Sequence, residues 1–572
     1  MAFQISPGVV VSEVDLTTVV PSVLTTAGAF VGQFVWGPAN KRIQITSETE
    51  LNQRFGSPDL YSYTSYFTAA SFLAYGNNLQ IVRALGANST CSTANASGSY
   101  IVVANKDIFE YNYLKTNNNN QWGPFIGRYA GAIGNSLTVS VLDSGANASF
   151  SSWTVNGINI SSYFPTAPNT STQVAAAGGL NDQMHVIVID SAGAFTGVKN
   201  QVLEVFPFLS KAADAKDSLG NSNYYKNYIF NNSRYIYAID PISYAGTNST
   251  WGLNAANTNF AQVSSVQTVR LTNGVDDIPN DALRSNAWSF FANADEVDIS
   301  LVVTGDASAT VQQYVIDNIV NSRKDCVAFI SPPSSAVVNQ PGSEVTNITS
   351  WYNSLARSTS YAVADSGWKY MFDKYNNTYR FVPLNGDIAG LCVNTDNVRD
   401  PWWSPAGVNR GALKNVVRLA WNPTKAQRDS IYALGINPVN TLPGNGTVLY
   451  GDKTLLTQPS AFDRINVRRL FIVLEKAIAQ ASKYSLFEFN DDFTRAQFVA
   501  LVTPFLRDIQ GRRGIYDFRV VCDTTNNTPA VIDGNQFVGD IYIKPARSIN
   551  FIQLNFVAVR TGVNFTEVVG QF

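Results

Sequence analysis

The apolar and polar positions of this chain change period most clearly in its last hundred-odd residues. From Asn466, the stretch NVRRLFIVLEKAIAQASKY sets Val467, Leu470, Phe471, Leu474 and Ile478 at helical spacing. Arg469, Lys476 and Lys483 recur at every seventh residue on another face. A second helical pattern covers roughly 491–509 and is closed by Gly511. The period then switches to that of strands, in IYDFRVV, VGDIYIKP and INFIQLNFVAVR. The chain runs on through TGVNFTEVVGQF, an apolar piece with nothing after it to pack on. At the other end, FQISPGVVVSEVD is a Pro-Gly turn signal followed by a β-branched run from Val9 to Val14. An arm of strand character therefore stands at each end, and exposed strands are templates for pairing with another chain. Twenty extended residues reach on the order of 65 Å, enough to cross to a neighbour.

Between the arms, LTTAGAFVGQFVWGP predicts a strand ended by Gly37-Pro38, and NKRIQITSETELNQRFG a strand and then a helix capped at Ser47 or Thr49. YTSYFTAASFLAYGNN predicts a helix stopped by Gly76, and LQIVRALG a strand, so a βαβ-like core begins here. After Arg83 the composition shifts to Gly, Asn and Ser, with short strands and the Asn117–Asn120 run, which predicts an inserted β-rich surface domain over 87–200. Helix–strand alternation with continuous apolar strands over 260–332 predicts a parallel sheet in an α/β domain spanning 201–460. The stretch 381–411 reads as a Pro/Trp/Gly-rich connection, and 425–456 as a short helix and two strands around Asn445-Gly446. The division is thus an N-terminal arm (1–20), a first core segment (21–86), the insertion (87–200), the α/β domain (201–460), a C-terminal domain (461–560) and a C-terminal arm (561–572). The fold class is a mixed α+β and α/β multidomain chain.

Composition narrows the function. The 572 residues are 45% hydrophobic, ample for several cores, but only 14% charged, against an average of about 25%. The net charge of −2 gives no basic footprint for nucleic acid. No run of eighteen apolar residues and no basic-then-apolar N-terminus appears, so neither a membrane span nor a secretory signal is expected. The four cysteines are widely spaced with no CxxC pair, so no zinc knuckle is expected, and Cys326 and Cys522 read as buried small hydrophobes.

Candidate chemistry is sparse. The single histidine, His185, sits in NDQMHVIVI without a nucleophile signature and reads as a strand residue. Asp276-Asp277 and Asp491-Asp492 read as turn and helix-start acids rather than a general acid/base pair. Glycine-rich pieces lack phosphate-loop context. Trp402 and Trp403, between prolines, read as a packed loop rather than a sugar platform. Arg469, Lys476 and Lys483 form either a solvated helix face or a positive strip for an acidic partner. No catalytic residue, metal site or cofactor is expected.

Several patches together resemble one family. These are PGVVVSEVD at the start, Arg128 to Leu137 (similar to RYPGxxGNSL, with Ala130 for proline), and TDNVRDPWWSPAGVNRG (similar to TDxxRGxWxAPAN, with Asp400, Ser404 and Gly407 departing). GINPVNTLPGNGTVLYGDKTL is similar to LNPIRxFPGxGxxVWGxRTL, with Val439-Asn440, Tyr450 and Lys453 departing, and NVRRLFIVLEKAI matches most closely. In their order they resemble the contractile tail sheath proteins of myophages and related injection systems. The resemblance implies a core subtilisin-like by fold but non-catalytic, and a helical homo-oligomer of stacked rings around a tube made of another protein. It implies contacts with baseplate and tail terminator proteins, and a place in the virion tail after assembly in the host bacterial cytoplasm. It also implies strand exchange between subunits, here by Val9, Val10, Val11, Val14, Phe565, Val568 and Val569, and contraction that drives the tube through the host envelope. Arg469, Lys476 and Lys483 are the candidate tube-facing residues. The alternatives are the sheath of a non-viral injection system, a secreted β-rich adhesin, and an α/β hydrolase.

Overall fold

The computed structural model describes residues 20, 23–95, 97, 99–115, 121–240, 250–550 and 552–553. Mostly apolar runs, interrupted by Gln44 and Gln80, form the central sheet of the larger unit. They are β1 (Gly28–Gly32), β2 (Ile43–Ile45), β3 (Leu79–Arg83), β4 (Leu301–Val303), β5 (Val327–Ile330) and β6 (Ala362–Asp365). With β10 (Ile436–Asn437) they make a seven-stranded sheet in the order β10-β6-β5-β4-β1-β3-β2. All neighbours pair in parallel except β2, which is antiparallel to β3. Burial on both faces explains why these strands read as continuous apolar runs. Ala29, Val31, Val302, Ala328 and Ile330 face one core with Trp288 and Trp351. Phe30, Leu301, Val303 and Phe329 face the other, with Phe72 and Ile388.

The helix predicted after β2 is α1 (Glu48–Phe55), and Ser47 caps it by accepting from the Glu50 N–H. The helix after it is α2 (Tyr63–Leu73). Two expectations need correction. The first concerns 381–411, which contains a buried helix, α3 (Asn385–Val398). Its glycines disguise it, and packing explains them. A Cβ on Gly386 would stand 2.5 Å from the Thr68 carbonyl oxygen, and one on Gly390 would stand 2.4 Å from the Tyr75 ring. The glycines let α3 lie close against α2, a tertiary gain that outweighs their poor helix propensity.

The second concerns the boundary at 200. Strand Gln201–Ser210 pairs with Gln183–Asp190, and Gln267–Arg270 pairs with Leu137–Asp143, in one antiparallel four-stranded sheet. Ile236–Ala238 pairs with Phe125–Ala130 in a second sheet. The β-rich module thus continues past 200 to about the helix Asp281–Trp288, because a sheet closes on strand partners wherever they lie in sequence. Arg83, at the end of β3, joins it to the core. Its guanidinium is buried and donates to the carbonyls of Phe34, Gly37 and Ala130 at 2.8 Å each.

An antiparallel sheet of β7 (Trp368–Asp373), β8 (Thr378–Pro383) and β9 (Arg418–Leu419) follows β6. Near the C-terminus lie α4 (Ile465–Ser482), α5 (Asp492–Gly511), β11 (Ile515–Val521) and β12 (Asp540–Pro545). The chain divides into two compact units. The larger comprises 21–401 and 405–480; the smaller comprises Val20, 402–404 and the described residues from 481 on.

Candidate functional site

Open parallel sheets usually hold their chemistry at the carboxyl ends of the strands. Here those ends are filled. The Ser331 hydroxyl, just past β5, donates to Asp365 Oδ2 at 2.7 Å and accepts from the Asn385 backbone and side-chain N–H groups at 3.1 and 2.9 Å. Asn385 also bonds Gly305 in both directions, and Gly367 N–H donates to Asp365 Oδ1. Burial pushes the Asp365 carboxyl up to about 8. Lys369 Nζ lies 2.8 Å from the Asp387 carboxylate, and both are buried. Burial also raises the Asp387 carboxyl, against the pull of Lys369. The serine's lone pairs are occupied by Asn385, and its proton points to a carboxylate, so the network fixes strand ends. His185 is in the β-rich module instead. It stacks on Phe164 at 4.2 Å, accepts from the Phe208 N–H through Nδ1, and donates from Nε2 to the Thr166 carbonyl. Burial pushes its pKa down to about 4.

Of the other acids, Asp277 accepts from the Asn88 backbone and side-chain N–H groups. Asp491 caps α5 by accepting from the Thr494 N–H. All four cysteines are free and buried.

The basic strip on α4 resolves into different roles. The apolar stripe behaves as expected, with Val467, Leu470 and Leu474 buried. The opposite side of the first turns is buried too, with Asn466, Arg468 and Arg469. Arg469 makes a bidentate pair with Asp396 of α3 at 2.8 and 2.6 Å, its side chain only 4% exposed. Burial opposes its charge, but Asp396 outweighs that and raises its pKa. Lys476 bonds Asp298 at 2.7 Å, the Ile299 carbonyl and the Ser300 hydroxyl, at the start of β4. Arg468 lies over the Tyr361 and Phe462 rings. Of these ion pairs, Arg469–Asp396 is internal, whereas Lys476 pairs at the surface with Asp298, whose side chain is 51% exposed. Only Lys483 of the three is exposed. Sequence reasoning missed their partners, Asp396 and Asp298. The first was within reach, since it sits in the TDNVRD stretch.

The smaller unit is built differently. α5 buries Phe498, Val502, Leu506 and Ile509 along one face, and Gly539 lets β12's approach run close to the Phe498 ring. Trp402 is buried there, donating its indole N–H to the Arg512 carbonyl at 3.2 Å, with the Arg512 guanidinium over its ring. Trp403 carries Arg513 in the same way. β11 and β12 form a two-stranded antiparallel ribbon. Among the described residues neither outer edge of that ribbon has a strand partner, and most of its side chains are partly or fully exposed. The expected strand-exchange residues Val9, Val10, Val11, Val14, Phe565, Val568 and Val569 lie outside the described residues.

Strand ends closed by their own polar groups in the larger unit, and a ribbon in the smaller one whose outer edges have no strand partner among the described residues, suit a protein of assembly. The comparisons agree. Residues 285–455 match the phage tail sheath protein central domain, and residues 457–558 the phage tail sheath C-terminal domain. The tail sheath protein of Vibrio phage KVP40 is 35% identical, over 99% of this chain and all of that protein. That of Enterobacteria phage T4 is 32% identical, over 99% of each. The sheath tail protein of Listeria innocua shares the fold at a TM-score of 0.51 and 10% identity, over 92% of this chain and 96% of that one. The sheath of an extracellular contractile injection system in its contracted state does so at 0.50 and 13%, over 97% and 98%. The chain belongs to the phage tail sheath protein family. It is a contractile sheath protomer and a component of the virion tail.

Proposed function

We propose that this protomer polymerises as a helical array of stacked rings around an inner tail tube made of a different protein. Contraction of the array drives the tube through the host envelope. Neighbouring subunits are linked by strand exchange, with Val9, Val10, Val11 and Val14 of one arm and Phe565, Val568 and Val569 of the other added to open sheet edges. The observation that carries this reading is the β11–β12 ribbon, whose outer edges have no strand partner among the described residues, the form in which a sheet accepts further strands. Each net strand hydrogen bond contributes about 0.5–1.5 kcal/mol, with the buried valines in addition. Baseplate and tail terminator proteins bound the array, and assembly takes place in the host bacterial cytoplasm. The role is structural rather than enzymatic. Energy is stored in a metastable assembled state, and contraction is a switch between two packings of subunits. Of Arg469, Lys476 and Lys483, the strip proposed to face the tube, Lys483 is exposed and Lys476 partly so.

The test is deletion of residues 1–20. The truncated protein is expected to stay folded and soluble by circular dichroism and to form no sheaths by electron microscopy. Sheaths of normal length from the truncated chain would refute strand exchange.

A further inference from the structure

The turn between α4 and α5 carries Tyr484, Leu486, Phe487, Phe489 and Phe493, whose exposures run from 62% to 105%. Exposed apolar groups in such density mark an interaction site on a soluble protein. Phe487 also holds a left-handed backbone, φ 70°, unusual for an aromatic residue and costly unless its placement serves a purpose. The tip is acidic as well as aromatic, since Glu488, Asp491 and Asp492 outnumber Lys483.

The larger unit presents the complementary feature. A groove of about 450 Å³ runs between α2 and β7, lined by Phe67, Leu73, Met371, Phe372, Val416 and Val417. Its surroundings are basic. Lys374 lines it and Lys414 bonds the carbonyl of the lining residue Ala74, both being exposed, against the single lining carboxylate, Glu48, which pairs with Lys374 at 3.0 Å. Lys374 keeps more than half of its side chain exposed despite that pair.

We propose that the aromatic tip 484–493 of one protomer seats in the α2–β7 groove of a second copy of this chain. Apolar rings fill an apolar groove, and Glu488 meets the cations at its rim. Tip and groove are different surfaces, so the contact is head-to-tail. Repetition of such a contact generates rings or open helical filaments rather than closed twofold dimers. This inference rests on the sheath reading and adds a contact independent of the arms.

The test places one cysteine in each surface, F487C and V417C, in the full-length chain, where all four native cysteines are buried. After mild oxidation of the sedimented polymer, the double variant is expected to give a ladder of disulfide-linked oligomers on a denaturing gel. Each single variant is expected to give none. Polymers without a ladder, an intramolecular disulfide alone, a ladder from F487C alone, or a cross-link from F487C to another tail protein would each overturn the proposal. Absence of polymers from the unmodified chain would instead sink the sheath reading beneath it. A charge swap supplies the second measurement. E488K and K374E are each expected to raise the concentration needed for polymerisation several-fold, and the two together to restore it. No rescue counts against the contact.

Discussion

In the larger unit, backbone and side-chain polar groups at the strand ends satisfy one another. Ser331, Asp365 and Asn385 close one end of the parallel sheet, and Asn437 closes its β10 edge by bonding the Ala364 and Lys453 carbonyls. In the smaller unit, the β11–β12 ribbon leaves its outer edges without strand partners among the described residues, and aromatic rings stand in solvent. The first is how a protein holds a shape, since an unpaired buried polar group costs about 1–3 kcal/mol. The second is how it invites company, since an open edge offers hydrogen bonds to the next chain. The difference teaches that one protomer can divide rigidity and adhesion between its two units, which suits a subunit that moves within a polymer without unfolding.

The largest effect is expected from D396A, which leaves the buried Arg469 guanidinium without its partner. A loss of about 3–5 kcal/mol is expected in denaturant unfolding. The double variant D396L/R469M is expected to recover most of it, because a well-packed apolar pair replaces the ion pair. If D396A is nearly neutral, α4 is not tied to the core as described.

Next comes W402A, which removes a buried ring from the smaller unit at a cost of about 3–5 kcal/mol to that unit. Amide exchange is expected to quicken in α5 and β11 while β1, β4 and β5 keep their protection. Uniform loss across both units would break the comparison.

His185 supplies a pH dependence confined to the β-rich module. The unfolded imidazole titrates near 6.5 and the folded one at about 4. Between these values the unfolded chain binds more protons, so stability is full above about 6.5 and falls as pH drops towards 4. The total is ~3 kcal/mol. A H185Q variant is expected to flatten that slope in thermal melts between pH 4 and 7. The smallest effect on stability is expected from F487S/F489S, within about 0.5 kcal/mol because the rings are exposed, although sedimentation of polymers is expected to fall sharply.

Legibility in sequence followed locality. The Ser47 cap, the strand periods of β11 and β12, and the apolar stripe of α4 were readable because each depends on residues a few positions apart. α3 was not, because its glycines make sense only against Thr68 of α2 and Tyr75 in the turn after it. The ion pairs of Arg469 and Lys476 were not, because a heptad of cations reads alike whether or not carboxylates from elsewhere in the chain meet it. The aromatic tip was missed for a similar reason. Leu486, Phe487 and Phe489 resemble core residues until the fold leaves them uncovered.

What the sequence determined by itself is the order and type of most elements, the scarcity of chemistry, and, through patches spread along the chain, the sheath family. Those are properties of local periodicity, composition and motif order. Only the tertiary structure decided which glycines are contact points, which charges are internal, where the β-rich module ends, and which strand edges lack a partner among the described residues. Each of these depends on partners tens to hundreds of residues away, and burial is set by where those partners come to rest.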